Sequence, residues 1–451
     1  GCFDEGWDSV REQRLLRQKS IGLLPADTPL APPNPNVRAW SSLAPQEQTL
    51  CAKLQETYAG FLSHADNQIG RLIDYLASTN QLDNTAIVLI SDNGASGEGG
   101  PTGAVNIRRH MSMEKETVEY GLEHIDKIGS EYSFPHYPMG WAQASNTPLK
   151  WFKRNTHGGG IRAPLVVHWP AKILDRGGIR HQYHHVSDLV PTLLDTLNVR
   201  PPEVHQGHEQ LPLHGISMAY SFDQANEPTR KQTQHFEMAG DRAIWHQGWK
   251  AVTRHNKGDD FDNDRWELYH LDVDFSEIHD LAHEQPERLA KMKTLWLQEA
   301  QAHQVLPLDD REWDRAADRI RKHSRAVHVF YPGMSRVDRL MGPDVTGRSF
   351  SIKAEILKTG PLHGVLLAWG SRFGGLSFFL QNGEIVLQYV FSQDESYELR
   401  IAETLKLGVA VMVANFTRNS DQSLDLTLTG SGLKSATLRI AKTWPTHGMT
   451  A

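Results

Sequence analysis

Thr85-Ala-Ile-Val-Leu-Ile-Ser-Asp-Asn-Gly94 carries the reading of the fold. Ala86 to Ile90 is a continuous apolar run, the pattern of a strand buried on both faces, since a half-exposed strand would alternate with polar residues. Upstream, Leu50, Leu54, Tyr58, Phe61, Ala65, Ile69, Leu72, Ile73 and Leu76 recur at intervals of three and four. That stripe predicts an amphipathic helix from Glu47 to Ser78. A long helix feeding a buried strand predicts an α/β sheet covered by helices. Ser91-Asp92-Asn93-Gly94 falls at the C-terminal end of the strand, where open α/β sheets hold their ligands. Asp92 and Asn93 offer a carboxylate and an amide oxygen, the hard donors that Ca2+ or Mg2+ selects. The same residues also make an ordinary tight turn, and the segment alone leaves both readings open.

A second buried strand, Ala163-Pro-Leu-Val-Val-His-Trp169, is expected directly after Lys153-Arg-Asn-Thr-His-Gly-Gly-Gly-Ile-Arg162. A glycine-rich loop lets backbone N–H groups approach an anion, and the Lys153 ammonium supplies a point charge for a tetrahedral oxyanion. A solvated lysine on a surface loop fits the same residues. His157, a single histidine beside glycines, reads first as structural.

Helices are expected over Val10 to Lys19, Asp188 to Leu197 and Glu287 to Gln304, and a strand over Trp266 to Leu271. Pro25, Pro29, Pro32, Pro33 and Pro35 forbid regular structure between the first two helices. From Arg348 the texture changes to short apolar or alternating segments separated by glycine: Phe350 to Leu357, Gly364 to Ala368, Leu376 to Gln381, Glu384 to Val390, Gly408 to Phe416, Leu424 to Leu428 and Ala436 to Ala441. That spacing predicts an antiparallel β-sandwich. The expected division is therefore an α/β domain over 1–305, a charged linker over 306–347 and the sandwich over 348–451.

With 451 residues, 39% hydrophobic and 22% charged, the chain has the composition of an ordinary globular protein of two to three domains. A net charge of −7 without a basic stripe argues against a nucleic-acid partner. No apolar run approaches the roughly 20 residues of a bilayer span. Cys2 and Cys51 are the only cysteines, too few for a disulfide framework. Oligomeric state stays open, as does compartment, periplasmic or cytoplasmic. Gly1 in place of Met, with no charged-then-apolar leader behind it, leads us to expect a further segment upstream.

Glu56 to Ser96 resembles the helix–strand–SDNG core of bacterial arylsulfatases, and Lys153 to Pro170 their lysine-glycine-glycine-arginine segment. The likeness continues through Ser187 to Leu194, Arg242 to Lys250, Trp266 to Tyr269 and Glu277 to Leu281, covering roughly the first 305 residues in motif order. The resemblance implies the C-terminal part of a type I sulfatase, with an alkaline-phosphatase-like sheet flanked by helices and a C-terminal antiparallel β-sandwich extension. It further implies hydrolysis of a small-molecule or carbohydrate sulfate ester with Ca2+ as cofactor, ahead of Mg2+. Asp92 and Asn93 would supply two of the four side chains around the metal. Lys153, nine positions before Arg162, would contact the sulfate and the leaving oxygen as a catalytic group. His157 and Arg162 would join it in binding substrate.

The family nucleophile is a formylglycine made from cysteine in Cys-x-Pro-x-Arg. Here Cys2 is followed by Phe-Asp-Glu-Gly and Cys51 by Ala-Lys-Leu-Gln, so neither fits the motif. The resemblance thus implies an inactive fragment, with a sandwich also cut short at its end. Gly158 departs from relatives that carry Glu or Gln there. Two other readings stand beside the first: a phosphodiester or phosphonate hydrolase of the same superfamily, and a non-catalytic remnant whose sandwich binds carbohydrate or a partner. His184 and His185, the candidates for a second metal, are expected to pack at a helix start. Trp369 and Phe373 read as core ahead of sugar binding. The insertion from Pro101 to Asn146, with Tyr132, Tyr137 and Trp141, is expected at the pocket mouth, favouring an aromatic or sugar sulfate.

Overall fold

The computed structural model describes residues 1–107, 109, 116–311, 315, 325–334, 336–337, 342–371, 374–392 and 395–444. The chain forms two compact units, one of residues 1–102 and 137–311, the other of residues 103–136 and 312–451. Part of the expected linker over 306–347 lies outside the described residues, and so does Phe373. No helix among the described residues is long and apolar enough to cross a membrane.

The first unit is organised around two cores. In one, helix Gly6–Ser20 packs on helix Met139–Ser145 through an aromatic cluster. Trp7 meets Trp40 edge-on with centroids 4.8 Å apart, and both reach Trp141 at 5.7 Å, the offset geometry that ring quadrupoles prefer. Trp141 is fully buried and donates Nε1–H to the Cys51 carbonyl at 2.9 Å. Tyr137 is also buried, while Tyr132 is exposed. Trp141 and Tyr137 are therefore core residues, which corrects the expectation that they line a pocket mouth. Their apolar area is used to anchor the two helices.

The other core lies under a four-stranded antiparallel sheet in the order β5 (Thr233–Met238), β6 (Asp241–His246), β7 (Trp249–Thr253) and β8 (Trp266–His270). Helix Pro286–Ala302 covers it, packing Met292, Trp296 and Ala300 on Ile244, Ala251, Trp266 and Leu268. The first three strands carry no apolar run long enough to be read from the sequence.

Helix Pro45–Ser78 forms as the stripe predicts, with Pro45 at its start and the Glu47 carboxylate accepting the Ala44 N–H at 3.0 Å. Only Leu50, Cys51, Ala52, Leu54 and Gln55 are buried along it. Further on, Phe61 is 68% exposed and Tyr75 62%. β1 (Ile87–Ile90) pairs antiparallel with β2 (Leu165–His168), Ile87 opposite His168 and Ile90 opposite Leu165. Neither strand is buried on both faces: Leu89 is 49% exposed and Val166 56%. This corrects the sequence reading. Burial of a strand requires sheet neighbours and covering layers, and among the described residues this ribbon has two strands only. A small hairpin, β3 (Val204–His205) with β4 (His208–Glu209), completes the unit's strands.

The second unit carries two four-stranded antiparallel sheets. One runs β10 (Gly364–Ser371), β11 (Gly374–Gln381), β12 (Glu384–Ser392), β13 (Glu395–Ala402); the other runs β16 (Ala436–Ile440), β15 (Leu424–Gly430), β14 (Gly408–Arg418), β9 (Phe350–Lys358). Period-two alternation builds it: Phe350, Ile352, Ala354 and Ile356 of β9 pack inward, on a shared core that includes Phe378, Leu387, Met412 and Phe416. Trp369 packs in that core 5.3 Å from Trp444, as the core reading expected.

Candidate functional site

The Ser91–Gly94 turn and the glycine-rich loop are one structure. Gly94 N–H donates to the Gly160 carbonyl at 3.0 Å, and Lys153 N–H to the Ala95 carbonyl at 3.0 Å. Asn146 seals the junction, accepting the Ala95 N–H at 2.8 Å and donating to the Trp151 carbonyl at 3.1 Å. The approach is closer than any side chain allows. A Cβ at Gly94 would lie 1.7 Å from the Gly159 carbonyl oxygen, and one at Gly160 would lie 1.9 Å from that of Asn155.

Asp92 and Asn93 thus follow β1 and stand within two residues of the strand-to-loop latch that holds Lys153. Asp92 is exposed and makes no hydrogen bond to the described residues. Asn93 donates Nδ2–H to the Gly94 carbonyl at 2.8 Å, which leaves its Oδ1 as a donor atom for a cation. Lys153 Nζ lies 2.9 Å from Glu98 Oε2, and Ser96 Oγ donates to the same oxygen at 3.0 Å. Glu98 was not singled out in the sequence; its place two residues beyond the serine that follows Gly94-Ala95 was the available signal. Trp151 and Arg154, on either side of Lys153, both hold positive φ, +64° and +83°. Left-handed backbone at two non-glycine residues is strain that the surrounding contacts must sustain, and such strain gathers at functional loops.

His157 and Arg162 are placed differently. His157 is buried, with Nε2 2.9 Å from Glu267 Oε2 and Nδ1 without a partner among the described residues. The Arg162 guanidinium stacks over the Phe275 ring at 4.1 Å. The structure therefore joins the Asp92–Asn93 turn and the Lys153 loop through their backbones and buries His157 against Glu267.

What holds the loop from behind comes from far along the chain. Glu267 Oε2 also accepts the Tyr269 hydroxyl at 2.6 Å, and that hydroxyl accepts from Lys150 Nζ at 2.9 Å. Burial pushes the Glu267 carboxyl up, but His157, Tyr269 and Lys150 outweigh it and leave it at about 2. Glu277 Oε2 accepts the Gly158 N–H at 3.0 Å, while its Oε1 lies 2.6 Å from Lys250 Nζ. His184 and His185 sit at the start of the 3-10 turn Val186–Asp188. The His185 ring accepts the Ser187 N–H, and buried Asp188 binds Lys231 Nζ at 2.9 Å.

The sulfatase family profile matches residues 21–199, and the N-sulphoglucosamine sulphohydrolase C-terminal profile matches 149–303. The chain belongs to the sulfatase family. An uncharacterised sulfatase of Schizosaccharomyces pombe is 32% identical over 69% of this chain and 55% of its own length. The arylsulfatase of Klebsiella aerogenes is 29% identical over 53% of this chain and 49% of its own. The chain thus spans about half the length of the curated relatives it matches. Among solved structures, that of Ps i-CgsB in complex with k-i-k-neocarrahexaose superposes with a TM-score of 0.40 at 21% identity, covering 71% of this chain and 60% of that one. The chain is mixed α/β with a C-terminal antiparallel sandwich, as the sequence led us to expect.

Proposed function

We propose that the Asp92–Asn93 turn and Lys153 form part of the active site of a Ca2+-dependent hydrolase of sulfate monoesters. The observation that supports this reading is the pair of backbone hydrogen bonds, Gly94 to Gly160 and Lys153 to Ala95, that joins the Asp92–Asn93 turn to the loop of Lys153. Asp92 and Asn93 suit Ca2+ as ligands, yet they are two where the ion takes about six to eight oxygens. The remaining ligands and the nucleophile belong to a segment outside these 451 residues, and the chain alone is inactive. Exposed Leu89, Val166 and Phe61 give that segment apolar surface to cover.

Bound there, Ca2+ would supply positive charge beside the ester. Lys153 stabilises negative charge as the S–O bond breaks, since a fixed cation at a developing oxyanion lowers the barrier. Glu98 holds the ammonium in place until an anionic substrate competes for it. Asp92, Asn93 and Lys153 favour the charged sulfate group of a small-molecule or carbohydrate ester, without selecting the rest of it.

The test is to clone the gene with its upstream sequence, express the extended protein and assay an aryl sulfate with and without a chelator. Activity that requires Ca2+ and falls by about a hundredfold or more in Lys153→Ala supports the reading. Cleavage of phosphate diesters or phosphonates in its place would assign the site to that chemistry. An extended protein inactive on every ester would leave the chain as a binding remnant.

A further inference from the structure

Helix Pro286–Ala302 ends against β5, and three side chains converge at its last turn. Glu299 and His303 are four residues apart, so they project from one face of the helix, and His303 Nε2 lies 3.2 Å from Glu299 Oε2. His235 of β5 brings Nδ1 to 3.7 Å from the same carboxylate oxygen. One ligand atom from each residue falls within 4.8 Å of the others. The side chains of His235, Glu299 and His303 are 20%, 28% and 21% exposed, deep enough to be held and open enough for an ion to enter. The His214 ring stands edge-on to His303 with centroids 4.2 Å apart.

Hydrogen bonding accounts for one contact only, His303 to Glu299, while the His235 ring stacks on that of His303 with centroids 4.8 Å apart. The 3.7 Å separation of His235 Nδ1 from Glu299 Oε2 is too long for a hydrogen bond. In a tetrahedral site with metal–ligand bonds near 2.1 Å, neighbouring ligand atoms stand about 3.4 Å apart. The two separations from Glu299 Oε2, 3.2 and 3.7 Å, bracket that spacing, and small rotations of the two imidazoles close the third edge. Two nitrogens and one carboxylate oxygen are the donor set of Zn2+-like ions and not of Ca2+, which takes oxygen throughout.

We propose that His235, Glu299 and His303 bind one divalent ion of the Zn2+ class, with water beside the His214 ring in the fourth position. Such an ion would clip the end of helix Pro286–Ala302 to β5, and so to the sheet from which Lys250, Glu267 and Tyr269 arise. The inference stands on different residues from the sulfate-ester site and survives if that reading fails.

The experiment is titration of the full chain with Co2+, followed by the visible absorption of tetrahedral Co2+ and by Zn2+ competition. Expected are one ion per chain, displaced by Zn2+ and not by Ca2+, and a higher Tm with Zn2+ present. His235→Asn, His303→Asn and the near-isosteric Glu299→Gln should each weaken binding about tenfold or more. His205→Asn, in the exposed hairpin, should leave it unchanged. Absence of tetrahedral Co2+ in the wild-type chain, a Tm unmoved by Zn2+, or affinity unaltered in correctly folded Glu299→Gln would each overturn the proposal.

Discussion

Lys250 and Glu277 form an ion pair inside the first unit, Nζ 2.6 Å from Oε1, with side chains 2% and 1% exposed. The second carboxylate oxygen accepts the Gly158 N–H, so the pair also fixes the start of the glycine-rich turn. Removing one partner leaves an uncompensated buried charge. Glu277→Gln and Lys250→Met should each cost about 3–5 kcal/mol in urea unfolding. The double variant Lys250→Met/Glu277→Leu should recover part of this but retain about 1–3 kcal/mol, because the Gly158 N–H then has no acceptor. Full recovery would show that the carboxylate does not hold the loop.

Gly94→Ala and Gly160→Ala should lower the urea midpoint sharply, since each methyl would collide with a backbone carbonyl. Gly60→Ala is the internal control: it lies within helix Pro45–Ser78 with nothing within 4 Å of an added Cβ. It should stabilise by about 0.5–1 kcal/mol through helix propensity. Equal behaviour of the three variants would contradict the latch.

The carboxyl of Glu267 titrates at about 2 against an ordinary 4.5. A group depressed in the folded state contributes stability above its unfolded value and loses it as pH falls through the folded one. Unfolding free energy should therefore contain a contribution from Glu267 that is complete above pH 4.5 and drains away down to about 2. A series of urea titrations across that window should show a flatter profile in Glu267→Gln than in the wild type.

Cys51 is buried, and burial raises its thiol to about 12, whereas Cys2 is exposed. Thiolate is the reacting species. A thiol reagent should label one cysteine per native chain, at Cys2, and both after unfolding. Mass spectrometry of the labelled peptides reads this directly, and rapid native labelling at Cys51 would mean that the tryptophan-lined core opens.

What could be read from the sequence was what is local. Helices Pro45–Ser78 and Pro286–Ala302 and seven of the eight sandwich strands follow from periodicity; Glu395–Ala402 escaped because Ser-Tyr-Glu-Leu-Arg mixes charge into its alternation. Strands such as Thr233-Gln-His-Phe-Glu-Met238 mix polar and apolar residues and are only half-buried, and pattern alone does not reveal them. In the site, Asp92, Asn93 and Lys153 were legible because each sits in a contiguous motif. Glu267 and Glu277, which act on His157 and Gly158 across 110 and 119 residues, were visible only as parts of a resemblance. The apolar run Ala86–Ile90 announced a need for cover, but a run of residues does not say what covers it.

The bare apolar side chains of helix Pro45–Ser78 and the β1–β2 ribbon set the conditions for handling this chain. Association through such surfaces strengthens in kosmotropic salts and weakens on cooling, the reverse of what charge-driven clumping would do. Refolding at low protein concentration, in the cold and without ammonium sulfate, keeps Phe61, Tyr75, Leu89 and Val166 from finding their counterparts on neighbouring copies.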